Sequence, residues 1–313
     1  MYNCLIIDKM HPSIIPMLES IGVKPDYRPE ITREEILNVI ENYQGIIVRS
    51  KTPINKELFD KAKNLEFIGR AGAGLDQVDL ETMQARNITI VNAPEGNRDA
   101  LAEHMVGMIL CLFNNINLGD KQVRNGIWDR EGNRGVELKN KTVGIIGYGF
   151  MGQAFAKRLT SFECNIIAYD KYKSGFGSEQ VKEVALEQIF EEADLLSMHV
   201  PLTPETHFMI NEDFINRIKK PFYFLNSARG ELAKLSVIKK AIETGKISGA
   251  VLDVLENEKL NKYTPEQQEA FEFLKSSEKV LFTPHVAGWT HESYVRINEV
   301  LTKKIKAYIE GKQ

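Results

Sequence analysis

The segment Lys141–Gly152 reads KTVGIIGYGFMG: an apolar run passes into Gly147-x-Gly149-x-x-Gly152 and then into the helical pattern Gln153–Leu159. Glycines at this spacing suit a backbone that must approach a diphosphate. Gly147 permits a tight turn, Gly149 leaves room for the ligand, and Gly152 lets the following helix pack against the strand. The helix N-terminus then offers unpaired N–H groups and the positive end of its dipole. Spacing alone would fit a glycine-rich turn with no ligand. The context decides: a strand before, a helix after, and Asp170 ending the next strand eighteen residues past Gly152. An acid about 20 residues on accepts hydrogen bonds from the adenine ribose. It also repels a 2′-phosphate, so the expected cofactor is NAD, with Lys171 beside it as a softening influence.

These residues need a scaffold to position them. Strand patterns fall at Cys4–Asp8, Gly45–Arg49, Glu66–Arg70, Ile88–Asn92, Thr142–Gly147, Asn165–Asp170, Leu195–Val200, Phe222–Asn226, Gly249–Asp253 and Val280–Thr283. Amphipathic stretches such as Arg33–Glu41, Lys56–Ala62, Leu186–Ala193 and Val237–Thr244 lie between them. This alternation implies βαβ units and parallel sheets, an α/β fold. Ten strands exceed one small sheet, and 313 residues allow two cores. A long helix at Asp99–Asn115, followed by the polar stretch Gly126–Gly135, is expected to lead into the second sheet. The last periodic segment, Glu292–Ile309, follows the final strand and is expected to return to the first domain.

Composition excludes several classes. A net charge of −3 argues against a nucleic-acid or anionic-membrane surface, which needs a basic excess. The longest apolar run, Val106–Phe113, is too short for a membrane span of about 18 residues or more. Cys4, Cys111 and Cys164 are far apart with no nearby His, so neither a disulfide nor a metal site is expected. With no secretory pattern at the start, a cytoplasmic location is the expectation.

Further segments carry a resemblance: RAGAGLDQVDL (Arg70–Leu80), NAPEGN (Asn92–Asn97), AEHMVGMIL (Ala102–Leu110), GYGFMG, HVPLTPETHFMI (His199–Ile210), NSARGEL (Asn226–Leu232), GAVLDVLENE (Gly249–Glu258) and TPHVAG (Thr283–Gly288). In this order the chain resembles the D-isomer-specific 2-hydroxyacid dehydrogenases from about Ile46 to Thr290, and within them the phosphoglycerate dehydrogenases most closely. The resemblance implies two Rossmann-like, doubly wound parallel-sheet domains with an active-site cleft between them. Residues 1–98 plus 289–313 would form a flavodoxin-like substrate-binding domain, and 99–288 the NAD-binding domain. It implies an NAD-dependent oxidoreductase interconverting a 2-hydroxy acid and its 2-oxo acid, with 3-phosphoglycerate and 3-phosphohydroxypyruvate of serine biosynthesis foremost.

The family's Arg–Glu–His set maps onto Arg229, Glu258 and His285. Physical chemistry supports that set. Oxidising a 2-hydroxy acid needs a base for the hydroxyl proton, and imidazole works in both directions because its pKa lies near neutrality. A neighbouring carboxylate favours the imidazolium and orients the ring. A guanidinium is a planar, permanently charged fork for a carboxylate. A His after Pro284 or an Arg before Gly230 would by itself equally serve a loop, but both follow strand ends, where ligands of parallel sheets gather. His104 is expected merely to pack on its helix, and His11, His207 and His291 have no visible partners.

The resemblance also assigns Phe150 and Met151 to the pyrophosphate turn, and Val200, Pro201 and Thr206 to the nicotinamide. Ser227, Ala228, Asp253, Ala287 and Gly288 join the nicotinamide side, and Ala73 the cofactor set. The turn Gly72–Ala73–Gly74 would present N–H groups to the substrate carboxylate; a plain strand-to-helix turn fits the same residues. Arg49 and Ser50, with Lys51 next to them, are candidate substrate contacts, and Arg130 resembles an arginine that relatives donate across a homodimer interface to a substrate phosphate. Solvated surface charge is the alternative for each basic residue. Departures are Lys259 where the family often has Pro, Phe150-Met151 where many relatives have Arg-Ile, and an end at Gln313 with no expected regulatory domain. A hydroxypyruvate or glyoxylate reductase shares the chemistry. The C-terminal-binding corepressors, NAD-responsive binding proteins, share the fold and the same three residues.

Overall fold

A computed structural model describes residues 2–311. The chain divides into two compact units, Met1–Asp99 with Trp289–Gln313 and Ala100–Gly288. The first begins β1 (Tyr2–Ile6), α1 (Ile14–Glu19), β2 (Val23–Tyr27), α2 (Arg33–Val39), β3 (Gly45–Val48), α3 (Lys56–Lys61), β4 (Phe67–Arg70), α4 (Leu80–Ala85) and β5 (Thr89–Asn92). Its five strands are all parallel in the order β2-β1-β3-β4-β5, a doubly wound order. β3 is buried at every position, the mark of a parallel strand covered on both faces. Thr32, Asn55 and Asp79 start α2, α3 and α4 by accepting from the N–H three residues on.

Helix α5 (Pro94–Phe113) carries the chain into the second unit. It begins five residues before the expected Asp99, because Pro94 opens a first turn where its missing N–H costs nothing. There follow α6 (Ile116–Arg124), β6 (Thr142–Ile146), α7 (Phe150–Leu159), β7 (Asn165–Tyr169), β8 (Lys182–Glu183), α8 (Leu186–Glu192) and β9 (Leu195–Met198). The unit closes with α9 (Glu212–Arg217), β10 (Phe222–Asn226), α10 (Leu235–Glu243), β11 (Ile247–Leu252), α11 (Pro265–Ser276) and β12 (Val280–Phe282). Seven parallel strands lie in the order β12-β11-β10-β9-β6-β7-β8. This is the Rossmann order extended by one strand, with its reversal between β6 and β9.

Register fixes where the loops emerge. Tyr169, Ile146, Met198, Asn226, Leu252 and Phe282 pair in one row across the second sheet. Six chain segments therefore leave the sheet side by side at its carboxyl edge. The row is held by apolar cores on the two faces, one including Met198, Phe224 and Leu252 and the other Ile145, Phe155 and Leu225. Each such fully buried side chain contributes roughly 1.5–3 kcal/mol.

Helix α12 (His291–Glu310) belongs to the first unit. A Thr290–Ser293 capping box starts it, and Ile297, Leu301, Ile305 and Ile309 recur every fourth residue to pack on Cys4, Ile6, Ile47 and Phe67. Gly96 sits under this helix; a methyl there would lie 2.8 Å from the Ile297 backbone nitrogen, so Gly96→Ala would prise the helix away. No single helix among the described residues is long and apolar enough to cross a membrane; α5 and α6 reach that composition together but are bent by 59°.

Candidate active site

At the carboxyl edge of the second sheet, each fingerprint glycine answers to a different constraint. Gly147 has φ +94°, and a Cβ there would meet the His199 carbonyl oxygen at 2.5 Å. A Cβ on Gly152 would lie 2.2 Å from the Gly147 oxygen, so only glycine lets α7 start so close to β6. Gly149 faces open space: nothing stands within 4 Å of where its Cβ would be. Gly149 caps α7 with no side chain, leaving the first-turn N–H groups to a ligand. Phe150 is exposed there, while Met151 packs inward. These features fit a dinucleotide pyrophosphate.

Asp170 follows β7, its Oδ2 accepting from Tyr148 N (2.8 Å) and its Oδ1 from Tyr172 N (2.9 Å). Two backbone donors thus fix the carboxylate where the sequence expects a ribose. Lys171, the expected softening influence, pairs its ammonium with Glu205, which also accepts from the Tyr172 hydroxyl at 3.0 Å. After β9, His199 Nε2 meets Ser197 Oγ at 2.8 Å, and burial pushes the imidazole down to about 4. It is neutral packing beneath the loop that carries Val200 and Pro201. That loop is closed by Thr206, whose Oγ1 donates to the Pro201 carbonyl (2.7 Å) and accepts from Thr203 N (2.8 Å).

The next three strand ends bring the expected acid–base set together. After β10, the buried Asn226 accepts from Ala228 N (3.0 Å) through Oδ1 and donates to the Arg229 carbonyl (2.8 Å) through Nδ2. That side chain shapes the turn displaying Arg229, whose Nη1 donates to the Ala228 carbonyl at 2.6 Å. Ser227 Oγ in the same turn is buried with no hydrogen-bond partner among the described residues, a donor suited to a ligand. After β12, His285 Nδ1 meets Glu258 Oε1 at 2.8 Å, each side chain being about half exposed. The hydrogen bond and charge of Glu258 raise the imidazole pKa above its ordinary value, against burial and the charge of Arg229. Nε2 has no hydrogen-bond partner among the described residues.

His285 holds φ +54°, a region that side chains seldom occupy and that the surroundings must impose. Asp253 supplies much of that imposition. Only 2% exposed, it accepts at Oδ1 from Thr283 Oγ1 (2.5 Å) and Val286 N (2.9 Å), and at Oδ2 from Ala287 N (3.0 Å). Its carbonyl accepts from His285 N at 2.8 Å. Asp253, expected at the nicotinamide side, has its carboxylate engaged in shaping the loop that carries His285, Ala287 and Gly288. His104, expected only to pack on its helix, meets Thr283 Oγ1 at 3.1 Å and so belongs to this cluster. Its partner lies 179 residues away, and nothing in the sequence near His104 signals it. Asn226 did carry a signal: an Asn ending a strand before a turn commonly bonds the backbone two residues on.

A family model, D-isomer specific 2-hydroxyacid dehydrogenase, NAD binding domain, matches residues 106–287, and so takes in all of these loops. The chain belongs to that family. Its second unit is accordingly an NAD-binding domain. D-3-phosphoglycerate dehydrogenase of Archaeoglobus fulgidus is 33% identical over 98% of this chain and 57% of its own length. The chain thus spans little more than half of that relative. Glyoxylate reductase of Thermofilum pendens is 34% identical over 90% of this chain and 82% of its own. Among solved structures, D-lactate dehydrogenase from Aquifex aeolicus complexed with NAD and lactic acid superposes with a TM-score of 0.83 at 26% identity, covering 99% of this chain and 96% of that one.

In this family member the first unit places its own candidates at the carboxyl ends of β3 and β4. Gly72 has φ +144°, and its N–H donates to the Arg70 carbonyl at 2.9 Å. The tight turn after β4 thus uses the first N–H of Gly72–Ala73–Gly74 internally. The N–H groups of Ala73 and Gly74 donate to no protein acceptor among the described residues, and Asn92 Nδ2 steadies the turn through the Ala73 carbonyl (2.8 Å). Asp8 accepts from Arg49 N at 2.7 Å, and the Lys51 ammonium is bound by the Pro29 carbonyl. Ser50 is exposed, its carbonyl at the limit of hydrogen bonding from Gln77 (3.4 Å). Arg130 lies exposed in the loop between α6 and β6 and pairs with no carboxylate among the described residues. His11, expected to be alone, bonds Ser13 Oγ at 3.0 Å and packs edge-on to Tyr294.

Proposed function

We propose that the chain is an NAD-dependent oxidoreductase that interconverts a D-2-hydroxy acid and its 2-oxo acid through Arg229, Glu258 and His285. The observation carrying this reading is the 2.8 Å pairing of His285 with Glu258 on the same sheet edge as the glycine turn and Arg229. When bound, NAD supplies the hydride acceptor, or as NADH the donor, for C2. Gly149 and the first turn of α7 would hold its pyrophosphate, and Asp170 its ribose in preference to a 2′-phosphate. Arg229 binds the substrate carboxylate and polarises the 2-oxo oxygen. In reduction His285 donates a proton from Nε2 to that oxygen; in oxidation it takes the proton back. Glu258, accepting from Nδ1, fixes the tautomer that puts the exchangeable proton on Nε2.

We read 3-phosphohydroxypyruvate and 3-phosphoglycerate as the substrate pair, with Arg49 as the phosphate contact and a role in serine biosynthesis. The phosphoglycerate dehydrogenase relatives and the guanidinium of Arg49 just past β3, stacked on Trp289 with no carboxylate partner among the described residues, support this. Ile116, Val123, Ile127 and Trp128 are large apolar side chains left exposed on α6 and the loop after it, which supports a homodimer with Arg130 near the join. Unpaired Cys4, Cys111 and Cys164 suit a reducing compartment such as the cytoplasm. The test is NADH oxidation with 3-phosphohydroxypyruvate, hydroxypyruvate, glyoxylate and pyruvate. One charge-assisted phosphate contact contributes roughly 1.5–3 kcal/mol, so the phosphorylated substrate should lead hydroxypyruvate in kcat/KM by about 10- to 150-fold. Indifference to the phosphate would favour a hydroxypyruvate or glyoxylate reductase. Tight NADH binding without turnover of any would favour an NAD-responsive binding protein.

A further inference from the structure

The guanidinium of Arg49 is an anomaly among the half-buried cations of the first unit. Arg33 donates to the Pro53 carbonyl and Glu57, Arg86 pairs with Asp60, and Lys304 pairs with Glu95. Arg49 is half-buried, yet its side chain donates to no acceptor among the described residues. Burial pushes its pKa down from the ordinary arginine value, the sign of a charge without full compensation. Asp8, the nearby carboxylate, accepts from the backbone N–H of Arg49 (2.7 Å) and not from its side chain. What the guanidinium does contact is an aromatic ladder. Its central carbon lies 3.4 Å from the Trp289 ring centroid and 5.8 Å from that of Tyr294. The two rings stack at 6.0 Å with an interplanar angle of 22°.

Stacking holds a guanidinium by its face and leaves every N–H free in the plane of the group. A carboxylate partner would have done the reverse, consuming donors and cancelling charge. We infer that Trp289 is a specificity-determining residue of the substrate site: it holds Arg49 flat with its N–H edge free, so that the site selects a substrate carrying a second anionic group, a phosphate. The inference rests on the proposed 2-oxo acid reductase reading and extends it to how the phosphate is chosen. Trp289 is 58% exposed, so its replacement need not disturb a core. It acts through Arg49 and is a positioning residue.

The experiment measures kcat and KM for 3-phosphohydroxypyruvate and hydroxypyruvate in the wild type, Trp289→Ser, Trp289→Phe, Arg49→Ala and the Arg49→Ala/Trp289→Ser pair. Trp289→Ser should lower the phosphorylated-to-plain ratio of kcat/KM by about 2- to 30-fold, the span of roughly 0.5–2 kcal/mol for a cation–π contact. The change should fall on the KM of the phosphorylated substrate. Trp289→Phe should restore most of the ratio, and the double variant should match Arg49→Ala. A readout independent of turnover comes from the only other tryptophan, Trp128. In a Trp128→Phe background, 3-phosphoglycerate should change the Trp289 emission saturably, whereas glycerate should not, and Arg49→Ala should abolish the change. If Arg49→Ala erases the preference while Trp289→Ser keeps all of it, the inference is overturned and the function stands. If Arg49→Ala keeps the preference, or 3-phosphoglycerate leaves the emission unchanged, Arg49 is not the phosphate contact and the inference falls with that assignment. A saturable emission change in a protein that reduces no 2-oxo acid would uphold the inference and overturn the catalytic reading.

Discussion

The two sheets treat the polar groups at their carboxyl edges in opposite ways. In the second unit they are mostly satisfied by the chain itself: Asp253 takes three donors from the loop after β12, Asn226 bonds both ends of its own turn, and Asp170 accepts two backbone N–H groups. In the first, the Arg49 side chain and the N–H groups of Ala73 and Gly74 meet no acceptor among the described residues. The lesson concerns tolerance. The proposed chemistry on C2 needs Arg229 and His285 held to a fraction of an ångström, and the buried hydrogen bonds of Asp253 and Asn226 supply that rigidity. Recognition of an anion needs donors left free, with an aromatic face in place of a countercharge.

Breaking the satisfied edge at its reacting group should produce the largest effect. His285→Asn tolerates the positive φ but removes the imidazole, so turnover should fall by about 10²–10⁴ while the NADH dissociation constant changes little. Stopped-flow kinetics and NADH fluorescence measure the two; wild-type turnover would remove His285 from the mechanism. Breaking the same edge at its support is a stability matter. Asp253→Ala strands the Thr283 hydroxyl and the N–H groups of Val286 and Ala287, and should cost roughly 2–5 kcal/mol in denaturant unfolding. A loss under about 0.5 kcal/mol would mean that the loop holds itself. Asp170→Ala is smaller: the ratio of NAD to NADP use should narrow by about 10-fold, with Glu205 still restraining Lys171. Equal use of both cofactors by the unaltered protein would contradict that role.

How legible each region was from the sequence follows from the same contrast. Ten of the strands appear as apolar runs, most of them buried along their length. β2 and β8 do not: Val23–Tyr27 at one sheet edge carries Lys24, Pro25 and Asp26, and β8 at another is only Lys182–Glu183, too short for a pattern, whereas the edges β5 and β12 keep apolar runs. The glycine turn is written locally, within six residues. So, less directly, is the placing of Arg229 and His285 just past strand ends. What stayed hidden joins distant residues. Asp253 gives no local sign that Thr283 and Ala287 surround it, His104 none that Thr283 is beside it, and Arg49, a candidate substrate contact, none that Trp289 lies under it. No local pattern encodes such pairs; only the fold closes them.

The central claim is that Glu258 makes His285 the proton donor by raising its pKa, and the most direct measurement is the pH dependence of kcat/KM for 2-oxo acid reduction by NADH. The donor must be protonated, so activity should be lost as pH rises through the His285 pKa, which Glu258 holds above the ordinary value. Glu258→Gln removes the charge but keeps an acceptor, and the alkaline limb should move to lower pH. In the oxidation direction, which needs the neutral ring, the acidic limb should move the same way. A Glu258→Gln profile superimposable on the wild type would show that the 2.8 Å pairing does not set the proton affinity of His285, and the mechanism built on it would fail.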